Sequence, residues 1–254
     1  MLSIGLNITA FNRIKFTEQC LLSILWSKPQ ETVVCLVDNG STDGTRSLLI
    51  EYQKKYEIFK HVVFNKDNLY VGGAINQGWK LLSASCDVLG NINNDFLVEP
   101  GWDQNVRACI QDFNLDYVVG TIKPSRQAIS TPSGGRYSMP CDNGGAVFLK
   151  TAHFLNGFYP SIKPFSKDYV GPGPAWHKRL RSNLKGVRLA SPGVLVRDSE
   201  YLNPDYIDYY DATFETRNMN HKLKRFRMLD KSGNPRGVTN WNQFLEKYYP
   251  EKMQ

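Results

Sequence analysis

Long apolar runs are missing from this chain. No stretch approaches the roughly 20 apolar residues that a bilayer-spanning helix requires, so the sequence does not read as an integral helical membrane protein. The strand-like opening, residues 2–10, lacks a basic n-region and a small-residue cleavage site, and no leader peptide is expected. Cysteine is scarce and unpatterned. Cys20, Cys35, Cys86, Cys109 and Cys141 are odd in number and widely spaced, which suits neither a disulfide framework nor a zinc cluster. Cys35 and Cys86 lie in strand-like runs and read as small buried hydrophobes. A reducing, cytoplasmic setting is the expectation. Internal repeats and long low-complexity tracts are also lacking.

The 254 residues carry 41% hydrophobic and 12% aromatic side chains, enough for a sizeable core in one large domain, alone or with an appendage. Lys and Arg number 31 against 24 Asp and Glu, giving a net charge of +7. Such an excess favours polyanionic partners: phosphate-bearing substrates, an anionic membrane face or nucleic acid. Much of it falls at 177–181 and 222–227. The second run suits a solvated face or a peripheral contact with an anionic membrane. No helix-turn-helix, zinc or single-strand-binding signature accompanies it, so nucleic acid rests on charge alone.

Strand-like and helical patterns alternate through the first half. Strands are expected at 3–9, 32–37, 61–64, 87–91 and 117–119, with helices at 17–26, from the opening at 42–45 through 54, at 72–83 and from Pro100-Gly101 to about Asp112. This alternation implies a mostly parallel α/β sheet with helices on both faces. Residues 124–140 are rich in Ser, Thr, Gly and Pro and read as a mobile loop. A strand follows at 144–149. Gly171-Pro172-Gly173-Pro174 reads as a rigid turn before a basic helix at 175–183, and one or two short strands come at 187–196. The tail is polar, aromatic and basic, with one helix at 240–248; packing of an accessory helix or an acceptor-side lid both fit it.

Open parallel sheets bind ligands beyond the carboxyl ends of their strands. Three polar clusters fall at such ends: Asn12-Arg13, Asp38-Asn39-Gly40-Ser41 and Asn93-Asn94-Asp95. Asp38 ends an apolar run, where its carboxylate is available to a ribose or base. Gly40 and Gly44 permit close backbone approach. Thr42 or Asp43 is a candidate cap for the next helix, whose N-terminus attracts phosphate. A nucleotidyltransferase would want a Gly-rich loop with Arg and Lys near the start, and residues 7–13 do not supply one.

The string Val37-Asp38-Asn39-Gly40-Ser41-Thr42-Asp43-Gly44-Thr45 resembles the nucleotide-sugar signature of family 2 glycosyltransferases. Asn12-Arg13 is similar to that family's first-loop motif. Residues 68–78 resemble its Asn-x-Gly-x-x-x-Ala-x-Asn-x-Gly segment, supplying Asn68, Gly72 and Asn76, with Tyr70 in place of the first Gly. Residues 91–102 resemble the segment with the Asp-x-Asp metal motif, and 144–149 the strand lining the acceptor side. The resemblance spans about residues 3–198. It implies a GT-A (Rossmann-like) fold at 1–200, with a nucleotide-sugar half to about residue 100 and an acceptor half to 200, plus a C-terminal extension at 201–254.

The resemblance further implies transfer of a sugar, with inversion, from a UDP- or dTDP-linked donor to a hydroxyl of a glycan, lipid-linked or other acceptor, assisted by Mn2+ or Mg2+. Asn12, Arg13, Asp38, Asn39, Gly40, Ser41, Asn68, Gly72, Asn76, Asn94 and Arg181 would hold the donor. Asp95 would ligate the cation, and Asp168, before the basic helix, would be the general base. Asn93 stands where the motif's first Asp is usual. By spacing from Pro192, Asp198 would restore that carboxylate. Asn93, and Lys167 in place of the usual Glu, also motivate an alternative: a nucleotide-sugar-binding protein of the same fold with weakened catalysis.

Overall fold

The structure is a computed structural model that describes residues 1–120, 129–138, 146–157, 160, 173–196 and 241–253. The chain divides into two compact units, Met1–Val194 and Leu195–Gln254. No helix among the described residues is long and apolar enough to cross a membrane.

The first unit opens with β1 (Ile4–Ala10), α1 (Ile14–Ser27), β2 (Thr32–Asp38), α2 (Thr45–Lys55), β3 (Phe59–Phe64), α3 (Tyr70–Leu82) and β4 (Val88–Asn93). It continues with β5 (Phe96–Val98), α4 (Trp102–Asp112), β6 (Tyr117–Val119), β7 (Ile129–Ser130), β8 (Arg136–Ser138), β9 (Val147–Lys150), α5 (Thr151–Leu155), α6 (Gly173–Asn183) and β10 (Gly186–Leu189). Nine strands form one sheet in the order β3-β2-β1-β4-β9-β6-β10-β8-β7. The β3-β2-β1-β4 half is all parallel. Beyond it, β9 runs antiparallel between β4 and β6, and β10 returns parallel to β6.

Every residue of β1 is buried, as a strand covered on both faces requires. On one face Trp79, Leu82, Phe154, Trp176 and Leu180 pack over Cys35, Val37 and Leu89. Trp79 meets Phe154 edge-on at 5.6 Å, and its indole N–H donates to Gly90 O at 2.8 Å. Gly78, one residue earlier, lets α3 lie directly on Asn7 of β1: a Cβ there would come within 1.8 Å of Asn7 Oδ1. Cys20, Cys35, Cys86 and Cys109 are all buried. Burial pushes Cys35 and Cys109 up to about 12, so neither is a nucleophile.

Two local expectations are corrected. The 124–140 segment is not wholly a loop, because it contains the β7–β8 hairpin. Thr131 closes its turn: Thr131 N–H donates to Gly135 O, and Gly135 N–H donates to Thr131 Oγ1. Loops and tight turns share the same Gly, Ser and Pro composition, so composition alone did not separate them. Pro174 does not precede the basic helix but lies in its first turn, where a missing N–H costs nothing.

In the second unit the described residues form α7 (Trp241–Tyr248) and a 3-10 turn at Pro250–Lys252. Phe244 stacks on Trp241 at 5.7 Å and is fully buried. The basic run at 222–227 lies outside the described residues.

Candidate functional site

The strand order places the topological switch point between β1 and β4, since the chain builds outward on one side to β3 and then returns to add β4 on the other. The registers Ala10↔Asp38 and Thr9↔Asn93 level the carboxyl ends of β1, β2 and β4. The three polar clusters therefore meet, and hydrogen bonds join them.

Asn12 is the junction. Its backbone N–H donates to Ser41 Oγ at 2.8 Å, its Oδ1 accepts from Thr42 N–H at 2.8 Å, and its carbonyl accepts from Asn94 Nδ2 at 3.0 Å. Asn94 also donates to Thr17 Oγ1 at 2.8 Å. Asn12 and Arg13 both adopt left-handed backbone, at φ 54° and 63°. That costs free energy for non-glycine residues, and the cross-loop bonds hold it. Beyond this turn Arg13 reaches Asp95, with Nη2 to Oδ2 at 2.9 Å and both side chains largely buried. An expected donor-binding residue and the expected metal ligand are thus an ion pair.

Asp38 is fully buried and already engaged. Its Oδ1 accepts from Ser41 N–H at 3.0 Å and its Oδ2 from Arg46 Nε at 2.8 Å. Arg46 also donates to Asn65 O and sits over the Phe64 ring. Gly40, at φ 89°, passes close to the backbone of 67–68; a Cβ would stand 3.2 Å from Asp67 C.

Asn39 uses all four hydrogen-bonding positions of its amide. Oδ1 accepts from Asn65 Nδ2 and Leu69 N–H; Nδ2 donates to Asn68 Oδ1 and Tyr70 O. Asn65 and Gln77 exchange reciprocal amide bonds at 2.8 and 2.9 Å. This network fastens 68–70, the start of α3, to the end of β2, with Tyr70 held at φ 59°.

The N-terminus of α2 is not an open phosphate site. Asp43 Oδ1 accepts from both Thr45 N–H and Thr45 Oγ1, while Oδ2 accepts from Ile14 N–H at the start of α1. One carboxylate thereby ties two helix starts together, a favourable place for negative charge.

The remaining expected residues fall elsewhere. Gly72 is buried in the first turn of α3, and Asn76 donates from Nδ2 to Pro160 O at 3.0 Å. Arg181 is exposed on α6. Asp168 and Asp198 lie outside the described residues. Among the described residues, no group of three or more His, Cys, Asp or Glu is placed to hold a metal ion. Glu99 is buried but structural, accepting from Ser191 Oγ and Gly193 N–H.

Sequence reasoning missed Arg46, Asn65 and Gln77. Asn65 had a findable signal, because it directly follows β3 and the strand-end rule applies to β3 as to its neighbours.

A mostly parallel sheet flanked by helices, with a polar cluster at the β1/β4 switch point, matches the GT-A α/β fold. The chain belongs to glycosyl transferase family 2, whose family model matches residues 6–161. Chondroitin synthase of Escherichia coli is 25% identical over 126 residues, covering 50% of this chain and 17% of that protein, so the match spans about a sixth of its length. Among solved structures, the mannosyltransferase PcManGT from Pyrobaculum calidifontis, in complex with GDP-Man and Mn2+, has a TM-score of 0.60 at 14% identity, over 76% of this chain and 56% of its own. S. aureus TarS 1-349 in complex with UDP-GlcNAc has a TM-score of 0.60 at 16% identity, over 89% of this chain and 75% of its own. At these identities the likeness to the two structures is one of fold.

Proposed function

We propose that this protein transfers a glycosyl group, with inversion, from a UDP- or dTDP-linked sugar to an acceptor hydroxyl. The observation that carries the reading is the joining of the β1, β2 and β4 strand ends through Asn12, Ser41, Asn94, Arg13 and Asp95. The structures of other proteins of this fold with nucleotide sugars, GDP-Man in one and UDP-GlcNAc in the other, support it.

Asp38 acts on the nucleoside side by holding the Ser41 backbone N–H and the Arg46 guanidinium, which shape the turn against which base and ribose would lie. The Gly40-Ser41 turn and Arg13 border the diphosphate. A divalent cation, Mg2+ or Mn2+, would be held by Asp95 through one hard carboxylate oxygen together with the donor's diphosphate. Bound there, it would neutralise charge developing on the departing nucleoside diphosphate. Asp198 is proposed as a second carboxylate for it.

Asp168 is proposed as the general base. It takes the proton of the acceptor hydroxyl as that oxygen bonds to the anomeric carbon. The bond from that carbon to the diphosphate oxygen breaks on the opposite face, and its electron pair leaves with the nucleoside diphosphate. The acceptor is proposed to be a glycan, a lipid-linked or another hydroxyl compound, and the 222–227 run to contact an anionic membrane face from the cytoplasm. Asp168→Asn should bind the donor as the wild type does and lose transfer; retained turnover would remove Asp168 from this role.

A further inference from the structure

The Arg13–Asp95 pair joins the two sides of the switch point. Arg13 leaves the end of β1 and Asp95 follows β4; Nη2 and Oδ2 are 2.9 Å apart, with 13% and 9% of the side chains exposed. The geometry is imposed rather than incidental. Arg13 follows Asn12 in a left-handed turn that Ser41, Thr42 and Asn94 hold from three sides. The Asp43 bond to Ile14 N–H fixes the turn's exit. The guanidinium also lies 5.7 Å from the centre of the Phe16 ring. Strain spent on aiming one cation at one carboxylate needs a reason, and a surface ion pair would not supply it.

We propose that Arg13 is the resident cation of Asp95 and so couples divalent-cation binding to donor binding. The inference rests on the donor and cation reading given above. Without nucleotide, the guanidinium neutralises Asp95 and keeps it in place. A divalent ion arriving alone at that carboxylate meets a positive charge a few ångströms away in a partly desolvated site, where the repulsion is poorly screened. The donor's diphosphate removes the conflict. Its oxygens would accept from the Arg13 guanidinium and leave the Asp95 carboxylate to the divalent ion. Cation and nucleotide then enter together, and Arg13 is a positioning residue on both sides of the exchange. Nothing is made or broken covalently.

The test is Mn2+ affinity, followed by the electron paramagnetic resonance signal of free Mn2+, with and without UDP. The proteins are the wild type, Arg13→Gln, Arg13→Lys and the double variant Arg13→Gln with Asp95→Asn. Arg13→Gln removes the charge and should tighten Mn2+ binding to the nucleotide-free protein by about tenfold, within the usual range of coupling between sites. It should also shrink the gain that UDP brings. Arg13→Lys keeps a charge and should stay near the wild type; a change equal to that of Arg13→Gln would mean that packing, not charge, matters and would overturn the proposal. The double variant should lose the tightened binding. If the wild type with UDP binds Mn2+ while Arg13→Gln without UDP binds it no more tightly than the wild type, the coupling role fails and the cation reading stands. If the wild type with UDP binds no Mn2+, the cation reading fails and this inference with it.

Discussion

Gly78→Ala adds one methyl group where α3 crosses β1. The new Cβ would stand 1.8 Å from Asn7 Oδ1, 2.6 Å from its Cγ and 3.2 Å from its Cβ. Asn7 has no exposed surface, and its Nδ2 donates to Thr9 Oγ1 and Asn91 Oδ1, so the amide has no free rotation with which to yield. Clearing the methyl sacrifices both bonds, at about 1 kcal/mol each. The extra volume in a packed layer adds about 1–3 kcal/mol. Alanine's helix propensity returns about 1 kcal/mol. The net destabilisation is then about 2–4 kcal/mol, which corresponds to a Tm lower by roughly 10 °C for a unit of this size. Urea unfolding measures it. The same step made in an Asn7→Ala background, where the obstructing amide is gone, should cost almost nothing, so the double-mutant cycle isolates the contact. A Gly78→Ala protein as stable as the wild type, or more stable by the propensity difference, would refute the close approach of α3 to β1.

Asn39→Asp keeps the shape but loses both donors, leaving Asn68 Oδ1 and Tyr70 O facing a carboxylate; the expected cost is about 2–4 kcal/mol in unfolding experiments, with weaker binding of UDP because 68–70 is released from β2. At the opposite end of the sheet, burial works to raise the Asp116 carboxyl, but the Lys185 N–H, the hydrogen bond and charge of His153, and Lys150 outweigh it and hold it below the usual carboxylate range. A depressed folded value means stability that is present above the unfolded value, about 3.9, and lost as pH falls through the lower folded one. The stability difference between wild type and Asp116→Asn should therefore narrow steadily below about pH 4; a difference that grows on acidification would contradict the hydrogen bonding of the Asp116 carboxylate.

Much of the parallel half was legible because β2 is a near-continuous apolar run, β1 sets Ile4, Leu6 and Ile8 at every second position, and the helix between them keeps a 3.6-residue period. The strand ends were legible for the same reason: polar residues right after such runs have one place to go. Partnership within the site was not. Arg13 meets Asp95 across 82 positions, and only the Thr9↔Asn93 register brings them together. Asp38 reads as an acceptor open to ligand, yet the Ser41 N–H and Arg46, in the first turn of α2, already occupy its two oxygens. The start of α2 reads as a phosphate site because a helix N-terminus leaves N–H groups unbonded; of the two candidate caps it is Asp43 whose carboxylate takes the Thr45 N–H. Helix starts shifted for a related reason. Ile14, not Thr17, begins α1, since the Asp43 side chain from a distant loop satisfies its N–H.

The central claim is that the joined ends of β1, β2 and β4 hold the nucleoside diphosphate of a sugar donor. Calorimetric titration with UDP in the presence of Mn2+, on the wild type and on Asp38→Ala, tests it most directly. The account predicts saturable binding of one UDP per chain that Asp38→Ala weakens at least tenfold while the fold, followed by circular dichroism, is retained. Absence of binding by the folded wild type to UDP, dTDP and their sugar conjugates, or binding unchanged in folded Asp38→Ala, would contradict it.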